Sequence, residues 1–353
     1  MTAAHPVAVL GGSGYVAGEL LRLVAQHPNL ALEAAVSTSQ AGEPVAAAFP
    51  HLAPAYAEKR FISPEGLLER LGDAERWIVL SAAPHGISAK LVAALLDAAD
   101  SAHVELSVVD ASADFRFADA AAFAAVYGQP HPAPARLAEF RCAVPEHLQA
   151  LDTPHAAHPG CFATSMLLAI VPLLRAGVCA NTFSVSAVTG STGAGRVPRN
   201  TTHHPFRQSN LFAYQPLEHR HDPEVRALAL AATGVEPRLR FVPQSGPFAR
   251  GIHATIFADK QPHCSAADVQ SALVEFYRES SFVRVQSAPP RVKDVAGSNY
   301  AALSAHVSED TVVVCVVLDN LLKGAAGGSM QWVNRLLGLP ETTGLAAPAV
   351  GWI

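Results

Sequence analysis

The sequence predicts an α/β protein of two domains, a parallel sheet built from βαβ units followed by a more strand-rich α+β half. Three observations carry that expectation. The chain has 353 residues and is 50% hydrophobic, and chains of that length usually divide rather than enlarge a single core. Through roughly the first 150 residues, short apolar runs alternate with helical periodicity, as parallel strands joined by right-handed crossover helices require. Beyond that point β-type runs follow one another with few helices between them, which predicts antiparallel pairing.

The elements follow in order. Val7 to Leu10 is a short strand that stops at glycines, and Gly18 to Gln26 is a helix with Leu20, Leu21 and Val24 on one face, ended by Pro28. Strands are predicted at Leu30 to Val36, Trp77 to Leu80 and Val104 to Val109, with a turn at Pro84-His85-Gly86 and a helix over Ser88 to Ala99. The alanine-rich stretch Ala118 to Ala125 reads as a helix or loop. Pro154, His155 and Pro159 punctuate a boundary near residues 150–158. Phe162 to Leu174 reads as a helix. Strands are then expected at Thr182 to Val188, Leu239 to Val242, Ile252 to Ala258, Ala302 to His306 and Thr311 to Leu318. From about Lys323 a last helix is placed to return to the first domain, so the expected division is 1–157 plus 323–353 against 158–322.

Composition excludes several classes. Charged residues make up 16% and the net charge is −5, with no basic arm, which argues against nucleic acid as a partner. Residues Met1 to Leu10 lack a positive flank and a long apolar region, and the longest apolar runs, Met166 to Leu174 and Thr311 to Leu318, are too short to span a bilayer. A soluble, cytoplasmic protein without a membrane partner is expected. The five cysteines, Cys142, Cys161, Cys179, Cys264 and Cys315, form no CxxC pair, which argues against a disulfide framework and against a metal ribbon.

Gly11-Gly12-Ser13-Gly14-Tyr15-Val16-Ala17-Gly18 lies between the first strand and a helix. Gly12, Gly14 and Ala17 fit the G-x-G-x-x-G/A pattern, in which glycines make the tight turn and backbone amides at a helix start meet a pyrophosphate. Gly11 to Val16 are therefore candidate nucleotide contacts; an ordinary glycine-rich turn is the alternative. The second strand ends Val36-Ser37-Thr38-Ser39-Gln40, without the acidic residue that holds the ribose hydroxyls of NAD. Ser37, Thr38 and Ser39 suit a 2′-phosphate instead, which favours NADP.

His158-Pro159-Gly160-Cys161-Phe162 places one cysteine at a sharp turn leading directly into an apolar helix. Unpaired amides at a helix start favour a thiolate and can hold an oxyanion formed when that sulfur attacks a carbonyl. The other four cysteines read as small buried hydrophobes. Such a nucleophile needs a proton shuttle. His219-Arg220-His221 precedes a helix start at Asp222-Pro223 and supplies candidates, while a solvated polar loop or a weak metal site remains open for the same residues. Two histidines without a third ligand do not make a zinc site, and no metal is expected.

Taken together, these residues resemble the N-acetyl-gamma-glutamyl-phosphate reductases nearly end to end. The likeness runs through Val9 to Leu21, Ala83-Pro84-His85-Gly86, Asp110 to Arg116, His158 to Cys161, Thr189 to Arg196, His219 to His221, Arg250-Gly251-Ile252 and Asp319 to Gly328. The resemblance implies a Rossmann-type NADP domain, a second α+β domain of the glyceraldehyde-3-phosphate dehydrogenase kind, and a homodimer or homotetramer built through that second domain. It implies Cys161 as nucleophile and His219 as acid/base, with His221 and Arg250 near a small acyl-phosphate substrate. Ser112, Arg116 and Arg196 become phosphate or carboxylate contacts. Pro84, His85 and Gly193 fall at the cofactor, and Asn320 at the nicotinamide amide. The chain departs from the pattern at Ala17, where glycine is common, at Pro243-Gln244 in place of Pro-His, at Thr192 in place of Ser, and in lacking an arginine after Ser39.

The reaction so implied is NADPH-dependent reduction of an acyl phosphate through a Cys161 thioester. Aspartate-semialdehyde dehydrogenase and a lysine-pathway reductase of aminoadipyl phosphate share the chemistry and stand as alternatives. A nucleotide-binding regulator without catalysis is a third, and a cysteine hydrolase would leave the glycine loop without a purpose.

Overall fold

A computed structural model describes residues 4–351. Met1–Ala3, read above for a leader, and Trp352–Ile353, at the end of the expected return to the first domain, lie outside the described residues. The chain divides into two compact units. Among the described residues one comprises 4–143, 150–158 and 326–346, and the other 144–149, 159–325 and 347–351. The short segments 144–149 and 347–351 pack with the second unit, unlike the division expected from the sequence.

The first unit holds strands β1 (His5–Leu10), β2 (Leu30–Val36), β3 (Phe61–Ile62), β4 (Arg76–Ser81), β5 (Glu105–Asp110), β6 (Phe140–Cys142) and β7 (His155–Ala157). They form a seven-stranded sheet in the order β3-β2-β1-β4-β5-β7-β6, with every pair parallel. Its central strands are continuous apolar runs because helices cover both faces; Val7 to Val9 and Ile78 to Leu80 are fully buried. The chain leaves β1 toward β2 and returns through β4 on the other side, so the loops after β1 and β4 diverge at the carboxyl edge, which is where α/β sheets bind ligands.

The helix after β1 begins at Tyr15 and runs to Gln26, a turn earlier than predicted, because Gly14 serves as its N-cap and the glycine-rich segment already carries the first turn. The helix over Ser88–Ala102 ends in a left-handed His103. Ala120–Tyr127 is a helix rather than a loop, capped by the Asp119 carboxylate, which accepts from the Ala121 and Ala122 amides. The helix Gly327–Leu336 belongs to this unit, where Asn334 bonds the ring of His27 at 2.9 Å.

The second unit holds β8 (Cys179–Thr189), β9 (Phe212–Ala213), β10 (Arg238–Ser245), β11 (Ile252–Lys260), β12 (Val283–Val285), β13 (Ala301–Ser308) and β14 (Thr311–Leu318). Their order is β12-β13-β14-β11-β8-β10-β9. β13, β14, β11 and β8 pair antiparallel, while β10 joins β8 in parallel. Helices Cys161–Ala176, His221–Thr233 and Ala266–Phe276 pack on one face, over a core that includes Phe162, Phe183, Phe241, Ile252 and Leu318. Side chains of opposite parity point away from that core: Ser184, Ser186, Thr255, Val313 and Cys315 are half-buried, and Phe257 is 42% exposed.

At one edge of this sheet a single row of paired residues crosses five strands: Leu318 pairs with Ile252, Ile252 with Thr189, Thr189 with Ser245, and Ser245 with Phe212. Leu318 and Ile252 belong to the helix-side core, and Thr189 and Ser245 share its parity with Ala187 and Phe241, so the row faces the helices.

Candidate active site

In the first unit, the loop after β1 is built by contact with the loop after β4. Gly11 has φ +86°, and a Cβ there would lie 2.5 Å from the backbone of Ala82 and Ala83, so only glycine fits. The sequence pattern was counted from Gly12, but the glycine that needs the left-handed conformation is Gly11. Gly12 donates its amide to the Val36 carbonyl at 2.9 Å, which fastens the loop to the end of β2. Gly14 is different: nothing comes closer to a Cβ there than the Gly11 carbonyl at 3.8 Å. Its helix has no side-chain cap and no acidic residue in the first turn. An open side and the positive end of a helix are what a pyrophosphate needs, although the Gly12 and Gly14 amides are already bonded within the protein, to the Val36 and Gly11 carbonyls. Ser37 is buried beside Gly12, whereas Thr38 and Ser39 stand exposed past the end of β2.

The loop after β4 carries Pro84 and His85, both exposed, and is held from below by two buried carboxylates. Asp114 accepts from the Gly86 amide at 2.8 Å and from the Ala89 amide at 2.8 Å. Asp110 accepts from Ser88 Oγ at 2.9 Å and from Ser112 Oγ at 2.8 Å. Burial, and then the charge of Asp114, pushes the Asp110 carboxyl up to about 6, against the hydrogen bonds from Ser112 and Ser88. Ser112, expected at the substrate, thus spends its hydroxyl on Asp110 and also accepts from the Asp114 amide. Arg116 is buried and donates to the Ala111 carbonyl at 3.4 Å.

In the second unit, Cys161 is the first residue of its helix, with extended Gly160 as N-cap. That is the position the Pro-Gly turn predicts. Two contacts fix it. The Gly160 amide donates to Oε1 of the fully buried Glu224 at 2.6 Å. Behind the thiol-bearing carbon lies Gly324, where a Cβ would fall 2.7 Å from Cys161 Cβ. Neither Glu224 nor Gly324 was singled out from the sequence. A carboxylate in the first helical turn after Asp222-Pro223 and a glycine in the Lys-Gly-Ala-Ala-Gly-Gly run were the available signals.

His219 is buried among rings: Phe162 at 5.7 Å, Tyr214 at 5.7 Å, Phe241 at 5.5 Å and His221 at 4.7 Å between centroids. Its Nδ1 accepts the His221 amide at 3.2 Å, so the neutral ring carries its proton on Nε2. Burial, and then the charge of Arg220, holds its pKa down to about 4. Tyr214 is pushed up by burial and then by the Cys161 sulfur, which places sulfur, tyrosine and imidazole in one neighbourhood. His221 opens the following helix with its ring covered.

The remaining expected residues are placed as follows. Arg250 turns its fork onto Asp319, Nε at 3.0 Å and Nη2 at 3.2 Å. Asp319, fully buried, also accepts from the Gly297 and Leu321 amides. Asn320 accepts from the Gly251 amide at 2.7 Å and donates to Thr192 Oγ1 at 3.0 Å, so both ends of its amide tie the sheet edge together. Gly193 lies in the turn Ser191–Ala194 beside Thr189, and Arg196 is exposed in the loop that follows. Among the described residues no group of three His, Cys, Asp or Glu could hold a metal ion, and no helix is long and apolar enough to cross a membrane.

The segment that backs Cys161 is itself pinned. Leu322–Ala326 is a single π-helical turn, a feature that recurs at functional sites. Its Lys323 is fully buried and donates to Glu146 at 2.5 Å. Lys323→Met should therefore destabilise the protein by about 3–5 kcal/mol, because it leaves the Glu146 carboxylate buried without its partner. The double replacement Lys323→Met with Glu146→Leu should recover most of that loss. Urea unfolding of the three proteins checks it, and equal stabilities would mean that the pair is not buried in solution.

Known proteins match this chain throughout. The family profile described as semialdehyde dehydrogenase, NAD binding domain, matches residues 6–140, and that described as semialdehyde dehydrogenase, dimerisation domain, matches residues 161–320. The chain is 38% identical over 351 residues to the N-acetyl-gamma-glutamyl-phosphate reductase of Pseudomonas aeruginosa, covering 98% of each. It is 36% identical over 347 residues to the enzyme of that name from Methanosarcina acetivorans, covering 97% of this chain and 98% of the other. Among solved structures, aspartate semialdehyde dehydrogenase II from Vibrio cholerae complexed with ASA aligns with a TM-score of 0.69 at 16% identity, over 96% of this chain and 99% of that one. Aspartate semialdehyde dehydrogenase with NADP from Candida albicans aligns with a TM-score of 0.69 at 16% identity, over 95% and 99%. At such identities the likeness to these structures is one of fold.

Proposed function

The chain belongs to the N-acetyl-gamma-glutamyl-phosphate reductases, and from that premise we propose that it reduces N-acetyl-gamma-glutamyl phosphate to N-acetylglutamate 5-semialdehyde, with NADPH as reductant and release of phosphate, as a step of arginine biosynthesis. The observation that carries the reading is Cys161 at the start of its helix, fixed by Glu224 through Gly160 and backed by Gly324, in the neighbourhood of a buried neutral His219.

The Cys161 thiolate adds to the acyl carbon, and the bond from that carbon to the phosphate oxygen breaks, leaving an enzyme thioester and free phosphate. Amides of the first helical turn stabilise negative charge on the acyl oxygen. Gly11 to Val16, with Pro84 and His85 flanking and Ser37, Thr38 and Ser39 at the 2′-phosphate, would hold NADPH, which when bound would supply the hydride for the thioester carbon. His219 donates a hydrogen bond from Nε2 to the resulting oxyanion, and the oxyanion collapses to the aldehyde as the carbon–sulfur bond breaks and returns the thiolate. Arg116 and Arg196 are assigned to the anionic groups of the substrate. Ser112 and Arg250 act from behind, through Asp110 and Asp319. His221 orients His219 through its amide. Asn320, Gly193 and Thr192 shape the sheet edge assigned to the nicotinamide.

The protein works in the cytoplasm as a homodimer or homotetramer, assembled through the sheet face of the second unit that carries Ser186, Thr255, Phe257 and Cys315. The functional test is phosphate-dependent reduction of NADP with N-acetylglutamate semialdehyde, run beside aspartate semialdehyde. Preference for the N-acetylated substrate supports the reading; equal or better use of aspartate semialdehyde ends it.

A further inference from the structure

One buried arginine of the second unit was not anticipated. Arg207 ends the short helix His204–Arg207 and keeps only 9% of its surface exposed. It donates from Nη1 to Ser245 Oγ at 2.6 Å and from Nη2 to the Gly246 carbonyl, and its guanidinium lies 5.7 Å from the centre of the Phe212 ring. Arg250 has Asp319 as counter-ion, but no acidic side chain among the described residues pairs with Arg207. Burial pushes its pKa down with no carboxylate opposing that shift. A guanidinium has five N–H donors, and a covered cation without an anion is unfavourable unless a ligand supplies one. A second orphan lies beside it. Thr189 is 4% exposed, pairs with Ser245 across the strands, and its Oγ1 has no hydrogen-bond partner.

We propose that Arg207, Ser245 and Thr189 form an anion subsite that grips the substrate carboxylate lying at the far end of the acyl chain from the reacting carbon. This inference rests on the assignment of the chemistry to Cys161. Cys161 is backed by Gly324, and a Cβ on Gly324 would lie 3.3 Å from Leu318, so the nucleophile stands at the Leu318 end of the row that crosses the sheet edge. Arg207 stands at the other end, on Ser245. Phosphate is bonded to the carbon that the sulfur attacks and must depart beside Cys161. The anion at Arg207 is therefore the carboxylate, which a planar guanidinium fork recognises with two parallel hydrogen bonds.

The test is steady-state kinetics of the intact enzyme in the direction of NADP reduction, with N-acetylglutamate semialdehyde and inorganic phosphate varied separately. Arg207→Ala should raise KM for the semialdehyde by about 10²-fold, the scale of truncating one partner of a buried charge pair, while KM for phosphate stays within about twofold of wild type. Arg207→Lys should recover part of the loss, because it keeps the charge without the fork. Thr189→Val should raise the same KM by roughly fivefold, as one lost hydrogen bond does, and it carries the test if Arg207→Ala fails to fold. An unchanged semialdehyde KM in the folded variants, or a rise confined to phosphate, overturns the subsite.

If the wild-type enzyme prefers another carboxylate-bearing semialdehyde, the proposed substrate fails while the same variants still test the subsite on the substrate it prefers. N-acetylglutamate serves as a non-reacting probe. It should raise the Tm of the wild type and not that of Arg207→Ala, and an unshifted wild type counts against the proposal.

Discussion

Cys161→Ala is expected to abolish phosphate release and semialdehyde formation, lowering kcat by about 10⁶-fold, the scale of removing a covalent nucleophile. The replacement is small and the site is rigid. Gly160 remains bonded to Glu224, and Gly324 still closes the space behind residue 161, so the fold should persist. NADPH binding, followed by quenching of protein fluorescence, should stay close to wild type, because the loop assigned to the nucleotide lies in the other unit. Cys161→Ser should be almost as inactive, since a hydroxyl at a helix start remains un-ionised at neutral pH. Turnover by either variant at the wild-type rate would remove the thioester from the mechanism.

The next largest effect is expected at His219. His219→Asn should lower kcat by about 10²–10⁴-fold, the usual contribution of a general acid–base group, with little change in NADPH affinity. The pH profile distinguishes this ring from a solvent-exposed histidine. His219 is held down to about 4 from an ordinary 6.5, so the acid limb of kcat/KM in the wild type should lie near 4 and should vanish in the variant. A limb near 6.5 would assign the titration to another group, and a larger loss in His221→Asn would exchange the two roles. The same shift has a stability consequence of definite sign. Between the two values the unfolded chain binds a proton at this position and the folded chain does not, so the contribution of His219 is complete above about 6.5 and is lost as pH falls toward 4.

The parts of the fold that could be read from the sequence are those whose cause is local. β1, β2, β4 and β5 are apolar runs because both faces are covered. The Cys161 turn was legible because Pro159 and Gly160 stop one element and an apolar helix starts at once. β3, β6 and β7 escaped because two or three residues show no periodicity; their pairing partners define them. The same holds at the site. Arg250 and Asn320 were recognisable as residues of interest, but their bonds to Asp319, Gly251 and Thr192 depend on where distant strand ends meet. Arg207 left no signal at all, since what marks it is a missing counter-ion, and an absence in space has no signature along a chain.

The row from Leu318 to Phe212 turns the sheet edge into a ruler. Neighbouring strands are about 4.8 Å apart and cannot be brought closer without breaking the ladder. Strand count therefore sets the spacing between Leu318, beside the segment that backs the nucleophile, and Ser245, on which the Arg207 guanidinium rests. Anchoring the cation on Thr189 in place of Ser245 would shorten the gauge by one strand spacing. Redesign for shorter or longer acyl chains should proceed in such increments, each by relocating a single positive charge along the edge.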